Sequence, residues 1–445
     1  MRPLERVSVL VLSWNGKSHL EACLPALLAQ EDPGVAWEIL VLDNGSTDGT
    51  VAWLPTAFPT VRLVASAKNL GFCAGNNRLV AEAAGDAVAF LNNDTKPRPD
   101  WLRELVAAYR RAPEDVGAVS GQIVSWDGTR LDFGRGVMTF DGHAFQLDFR
   151  RPLGSARIPV EGDELFFACG GNMLVRKASF LAAGGFDEDY FAYLEDVDLG
   201  WRLWAGGERI TFVPKAVVHH RSSATSDLLG LYNRGFLFER NAFLTVFKNY
   251  EAGLLERLLP AVMLTFQART QTLLVQNNAD TGTLTLDPYA GLIANTAGPG
   301  AAPVAPPPAG PETLGEKWRA YGPVGFFRRA AGKLLRQLRA KLRRPGRPAP
   351  PTITDDRTIA QLRTTTYLLA HLDQAAEKRA RVQARRRRSD AEIFARFPLY
   401  LVPTYPGDER LFASPGFTAW LPADVPIERR RLEEVMAWGE EEASS

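Results

Sequence analysis

An apolar run, Ala87-Val88-Ala89-Phe90, gives way to Leu91-Asn92-Asn93-Asp94-Thr95, which places one carboxylate flanked by amides where a buried strand should end. In open α/β sheets that edge is where ligands bind. An Asp there can hold Mg²⁺ or Mn²⁺, and the cation can in turn hold a nucleotide diphosphate, while Asn92 is within reach of a ribose hydroxyl. Asn and Asp also dominate ordinary turns, so the reading depends on what else the chain carries.

It carries more of the same kind. Asp43, in Val41-Leu42-Asp43-Asn44-Gly45-Ser46-Thr47-Asp48, can accept the imide N–H of uracil or thymine, or serve simply as an acid at a helix N-terminus. Asn15 and Asn69 stand at two further strand ends. Glu195 and Asp196 open a helix among Phe191, Tyr193 and Trp201, where partial desolvation raises carboxylate basicity. Asp198 and Arg202 are four apart on one face of that helix, the spacing of a structural i,i+4 ion pair worth ~0.2–0.5 kcal/mol. His219 and His220 follow a strand, and imidazole suits a borderline ion such as Mn²⁺; the sequence leaves open which of the two faces it. A grip on base and ribose, a cation on a diphosphate leaving group and a carboxylate base are the parts that inverting transfer from a nucleotide sugar requires.

These residues need a frame. Val7–Leu12, Trp37–Leu42, Val61–Val64 and Ala87–Leu91 are strand-like and mostly apolar. They alternate with helical patterns at Ser18–Gln30, from about Ser46, and at about Ala74–Ala84. Leu20, Cys23, Leu24, Leu27 and Leu28 share one face of the first helix. Fully apolar strands alternating with helices predict a doubly wound, mostly parallel α/β sheet. Its rim carries Asn15, Asp43, Asn69 and Asp94. Further on, Phe166–Arg176 and Arg209–Val213 read as strands, Lys177–Ala183 and Leu194–Ala205 as helices. After Leu228 the pattern is helical and amphipathic, with Phe236, Phe238, Phe243, Leu244 and Phe247 suited to an interfacial apron. The expected organisation is a transferase domain over 1–228, helices over 229–297, and a Pro/Ala/Gly linker over 298–311. A basic segment over 312–351 and a helical region over 352–445 complete it. Asp356–Arg388 reads as one long helical stretch, and Ser389-Asp390-Ala391-Glu392 as a capping box.

The net charge of +1 argues against a general nucleic-acid binder, but it is unevenly spread: Glu312–Arg347 holds eleven Lys/Arg against two Glu. Within it Phe327, Ala331, Leu334, Leu338 and Leu342 recur at helical spacing, with Arg328, Arg329, Lys333, Arg336, Arg339 and Arg343 on other faces. Such a helix lies in an anionic membrane surface. Cys23, Cys73 and Cys169 have no CxxC spacing, which fits small buried thiols in a reducing compartment. The N-terminus runs straight into a strand, with no signal-peptide core, and the apolar stretches fall short of the ~20 residues of a spanning helix. The expected location is cytoplasmic, peripheral on the inner face of the cell membrane.

The first strand ends in Ser13-Trp14-Asn15-Gly16-Lys17-Ser18, with neither GxGxxG nor a Walker A loop, which argues against a dinucleotide-binding domain. Instead the ordered set LSWNG, VLDNGSTDGT, NLGFCAGNN, FLNNDT, CGGNMLVRK, GGFDEDYFAYLEDVDLGWRL and VVHHRSSAT resembles the family 2 glycosyltransferases of the GT-A fold, in the bacterial rhamnosyltransferase-like branch. The resemblance spans about Val7 to Tyr250. It implies an inverting, metal-dependent transferase that moves a sugar from a UDP- or dTDP-linked donor, dTDP-rhamnose among them, to a lipid-linked or cell-surface glycan. It implies Asp43 as the base-binding acid, Asp94 as the last acid of a DXD-like motif, Asp196 as the general base of an ED motif, and His220 as the metal-side histidine. Asn92 replaces the usual first acid, which lowers the charge at the cation. An inactive scaffold that binds a glycan or partner enzyme, or a nucleotidyltransferase, are the alternatives. The latter lacks its Gly-rich, basic loop after the first strand.

Overall fold

The computed structural model describes residues 2–221, 230–276 and 356–437. The expected linker and basic helix lie outside them.

The strand-like runs form the sheet. β1 (Arg6–Ser13), β2 (Ala36–Asn44), β3 (Arg62–Ser66) and β4 (Ala87–Asn92) pair in parallel, in the order β3-β2-β1-β4. Their Val, Ile and Leu side chains, apart from the half-buried Leu12 and Leu63, are buried, with α1 (Lys17–Leu28), α2 (Thr50–Ala57) and α3 (Gly71–Glu82) between the strands in sequence, as helix-covered parallel strands require. Leu20, Cys23, Leu24 and Leu27 are buried as expected, but Leu28, where α1 ends, is 44% exposed.

Beyond β4 the sheet continues with strands that no alternation pattern could order. The 9-stranded sheet is completed by β5 (Thr95–Pro97), β6 (Val116–Ser125), a short flanking β7 (Leu131–Phe133), β10 (Asn172–Arg176) and β11 (Arg209–His220), with α4 (Trp101–Arg111) between β5 and β6. A small hairpin of β8 (Gly136–Met138) and β9 (Ala144–Gln146) stands apart. β10 runs antiparallel between β4 and β6, and β5 antiparallel to β11. The strand expected over Phe166–Arg176 therefore starts only at Asn172. Before it the backbone turns, Asn172 N donating to Cys169 O at 3.0 Å. β11, conversely, runs past Val213 to His220, with an irregularity between Val213 and Val217.

After α5 (Lys177–Ala183) and α6 (Glu195–Ala205) come two long helices, α7 (Gly230–Asn249) and α8 (Ala252–Gln276). Here the amphipathic reading needs correction. Phe236 and Leu244 are buried, Phe238, Phe243 and Phe247 pack against the core, and the polar Glu239, Arg240, Asn241, Thr245, Lys248 and Asn249 are buried as well. No apron of exposed aromatics results, because C-terminal helices cover the other side. These are α9 (Asp356–Ala370) and α10 (Leu372–Ala384), which break the expected single stretch at His371, whose ring stacks on Tyr367. The Ser389/Glu392 capping box opens α11 (Asp390–Phe394) as expected. Phe394, Leu399, Leu401, Phe412 and Phe417 join the same hydrophobic core as the sheet. Among the described residues no helix is long and apolar enough to cross a membrane.

Candidate active site

Parallel strands deliver their C-terminal ends to one rim, and the chemistry-bearing residues collect there. Asp43 closes β2 and is fully buried; its Oδ1 accepts from Ser46 N at 3.0 Å, while Oδ2 has no hydrogen-bond partner. A buried carboxylate oxygen left without a donor is costly in a native fold unless a ligand supplies one. Asn15 (φ 49°) is turned toward the same loop, its Oδ1 accepting from Thr47 N at 2.8 Å. Asn69 accepts from Gly71 N at 2.8 Å and from Asn44 Nδ2 at 2.9 Å, and Asn44 in turn accepts from Leu70 N. Asn15 and Asn69 thus shape the loops around Asp43.

Asn92 ends β4 in register with Leu12 of β1, and its amide lies against Gly171, where a Cβ would come within 2.8 Å of Nδ2. Two residues on, Asp94 meets His220: β5 pairs with the end of β11, and His220 Nε2 lies 3.3 Å from Asp94 Oδ1. Strand alternation puts the two imidazoles on opposite sides, His220 on that of Asp94. His219 points the other way, its Nδ1 3.2 Å from Trp126 O. On its far side His220 Nδ1 sits 2.9 Å from Asp132 Oδ2 on β7. Burial disfavours the His220 imidazolium, but its hydrogen bonds to Asp132 and Asp94 overcome this and raise its pKa to about 10. Asp94 is lowered, because the His220 contact outweighs its own burial. One carboxylate oxygen and one imidazole nitrogen thus converge, with the imidazole oriented from behind by a carboxylate as metal-bound histidines commonly are. That donor pair would fit Mg²⁺ or Mn²⁺ once the cation displaces the imidazolium proton at Nε2. Among the described residues no cluster of three or more His, Cys, Asp and Glu could hold a metal ion, so the rest of a coordination shell would come from diphosphate and water.

The acidic pair lies across the loop between them. Asp196 accepts from Val197 N at 2.9 Å and Gly170 N at 3.4 Å, and Gly170 adjoins the Gly171 that packs on Asn92. Burial raises Asp196 to about 6; Glu195, buried with Oε2 unpartnered, is raised further by burial and then by the Asp196 charge. An Asp poised near neutrality can take a proton from a hydroxyl. Asp198 and Arg202 do pair, at 2.7 Å. Both are buried, and Lys248 of α7 joins Asp198 at 3.1 Å. Removing one partner would strand a buried charge, an effect of ~3–5 kcal/mol.

The segment entering α6 is strained. Phe191 (φ 63°), Tyr193 (71°) and Leu194 (62°) all have positive φ without being glycine, Phe191 with ψ −59° at the centre of a γ-turn, at roughly 1–3 kcal/mol each. Such strain persists only where surroundings over-determine it. Phe191 O accepts from Phe72 N (2.7 Å) and Cys73 N (3.2 Å) at the start of α3, and a Cβ on Gly71 would meet the Phe191 ring at 2.4 Å. Sequence reasoning missed Asp132 and the α7 residues beneath this segment. Asp132 sits in no motif, and the α7 polar residues look like an ordinary solvated face.

The model of glycosyl transferase family 2 matches residues 8–182. N-acetylglucosaminyl-diphospho-decaprenol L-rhamnosyltransferase of Mycobacterium tuberculosis is 35% identical over 239 residues, 49% of this chain and 76% of that protein. An O-antigen biosynthesis protein of Myxococcus xanthus, RfbC, is 32% identical over 237 residues, 50% of this chain but 18% of that one. Among solved structures, S. aureus TarS 1–349 in complex with UDP superimposes with a TM-score of 0.41 at 16% identity, over 63% of this chain and 75% of that one. The chain belongs to glycosyl transferase family 2, in its rhamnosyltransferase-like branch.

Proposed function

We propose that this protein is an inverting glycosyltransferase that moves a sugar, rhamnose from dTDP-rhamnose in the preferred reading, to a hydroxyl of a lipid-linked glycan. The relative named for acting on N-acetylglucosaminyl-diphospho-decaprenol supports an acceptor of that class. The observation that carries the reading is the approach of Asp94 and His220 at one rim, beside the loop that holds Asp196.

In this reading Asp43 Oδ2 accepts the imide N–H of the base and Asn92 the ribose, with Asn15 and Asn69 holding the loops around them. Asp94 and His220 would hold the divalent cation, which when bound stabilises charge developing on the leaving diphosphate. Asp196 takes the proton of the acceptor hydroxyl as its oxygen attacks the anomeric carbon. The new C–O bond forms as the bond to the diphosphate breaks, and the electron pair leaves with the nucleoside diphosphate. Burial and the Asp196 charge both raise Glu195, which favours the pair carrying a single negative charge. The basic stretch 326–344, outside the described residues, would hold the enzyme on an anionic cytoplasmic membrane surface.

A thermal-shift screen of nucleotide sugars with Mn²⁺, followed by transfer to a polyprenyl-diphosphate-linked GlcNAc, tests this. Stabilisation by dTDP- or UDP-sugars with transfer is the expected result. No nucleotide-sugar binding would favour the inactive-scaffold reading.

A further inference from the structure

Asn241 lies in the middle of α7, fully buried, facing the strained segment that leads into Glu195 and Asp196. Its Nδ2 has two hydrogens, which Ala192 O at 2.8 Å and Tyr193 O at 2.7 Å accept, with Tyr190 O at 3.1 Å within reach of the same group. Its amide cannot be the other way round, because Oδ1 accepts from Arg240 Nε at 3.0 Å. Arg240, itself buried, adds a second donor to Tyr190 O at 2.8 Å. Three residues of that segment, Phe191, Tyr193 and Leu194, have positive φ without being glycine, and Leu194 adjoins the first residue of α6. Within it Ala192 N bonds back to Tyr190 O at 2.7 Å, while Ala192 O and Tyr193 O take side-chain donors. Asn241 supplies them from a separate element.

We propose that Asn241 is a positioning residue for the base: it fixes the Tyr190–Leu194 segment and thereby sets where Asp196 stands relative to the acceptor hydroxyl. This rests on the reading of Asp196 as the base. The donor side has ties besides those to Phe191 O. The start of α3 is held by Asn44 and Asn69 through Leu70 N and Gly71 N, so loosening the segment displaces the base before it displaces the nucleotide. A misplacement of about 1 Å at a reacting group costs ~10²-fold in rate.

The test compares Asn241→Ala and Asn241→Ser with Asp196→Asn in the full-length protein, following folding by circular dichroism, nucleotide affinity by calorimetry, and kcat and KM for transfer. The expected result is a folded Asn241→Ala protein with wild-type nucleotide affinity and a kcat lower by ~10²-fold, with Asn241→Ser, which retains one donor, in between. Wild-type kcat in folded Asn241→Ala, beside an inactive Asp196→Asn, would overturn this assignment alone. Wild-type transfer by Asp196→Asn would instead remove the base assignment on which it rests. Failure of both Asn241 variants to fold would also overturn it, making the residue part of the core.

Discussion

A carboxylate acts as a base only while ionised, and burial has brought Asp196 to about 6. Because its pKa is raised, the active form is lost as the pH falls through that value. We expect kcat/KM to drop about tenfold per pH unit below pH 6 and to be flat just above it; a flat profile down to pH 4.5 would count against Asp196. Asp94→Asn removes an oxygen donor from the cation pair while keeping its shape. It should reduce turnover by orders of magnitude and weaken Mn²⁺ binding measured calorimetrically, without a change in circular dichroism. Turnover that persists in EDTA would show that no cation is needed. Gly71 has φ +80° and no room for a Cβ against Phe191. Gly71→Ala should therefore displace the start of α3, which Asn44 and Asn69 tie to the nucleotide side, and lower nucleotide affinity; unchanged affinity would show that the Phe191 ring yields instead.

At the scale of elements, a buried cluster ties the helices to the sheet domain. His143 lies 3.3 Å from Asp141 and 3.2 Å from Glu239 of α7, while Arg269 of α8 reaches Asp141 at 2.8 Å and Asp408 at 3.0 Å. Burial disfavours the His143 imidazolium, but the charges of Asp141 and Glu239 prevail and raise its pKa to about 10. Its folded value exceeds the ordinary unfolded ~6.5. The stabilisation is therefore complete below that value and is lost as pH rises through about 10. The gap in urea midpoint between wild type and His143→Gln should thus shrink from pH 6.5 to pH 10; a constant gap would assign His143 no charge. The cluster also shows what a sequence hides. β1 to β4 were legible because parallel strands covered by helices are apolar throughout, and Asp43, Asp94 and Asp196 because each follows a strand or opens a helix. β10 and the course of β11 were not, since antiparallel insertion leaves no period of its own. The role of Asp132 and the buried polar side of α7 depend on contacts more than 50 residues away in sequence, as in His220 to Asp132 and Asn241 to Tyr190.

For the whole molecule, residues 356–437 share the core of the sheet domain, so membrane attachment is best tested without removing them. Replacing Arg328, Arg329, Lys333, Arg336, Arg339 and Arg343 with Gln should abolish co-sedimentation with anionic vesicles while sparing nucleotide binding, since each cation near such a surface contributes ~1 kcal/mol. Equal sedimentation of both proteins at low salt would give the segment another task. The central claim concerns the reaction itself: one carboxylate, Asp196, assists direct attack by the acceptor, with no sugar–enzyme intermediate. The anomeric configuration of the product, read by NMR on the linkage formed from a nucleotide sugar of known configuration, tests it most directly. Inversion is the result this account predicts, and retention would contradict it.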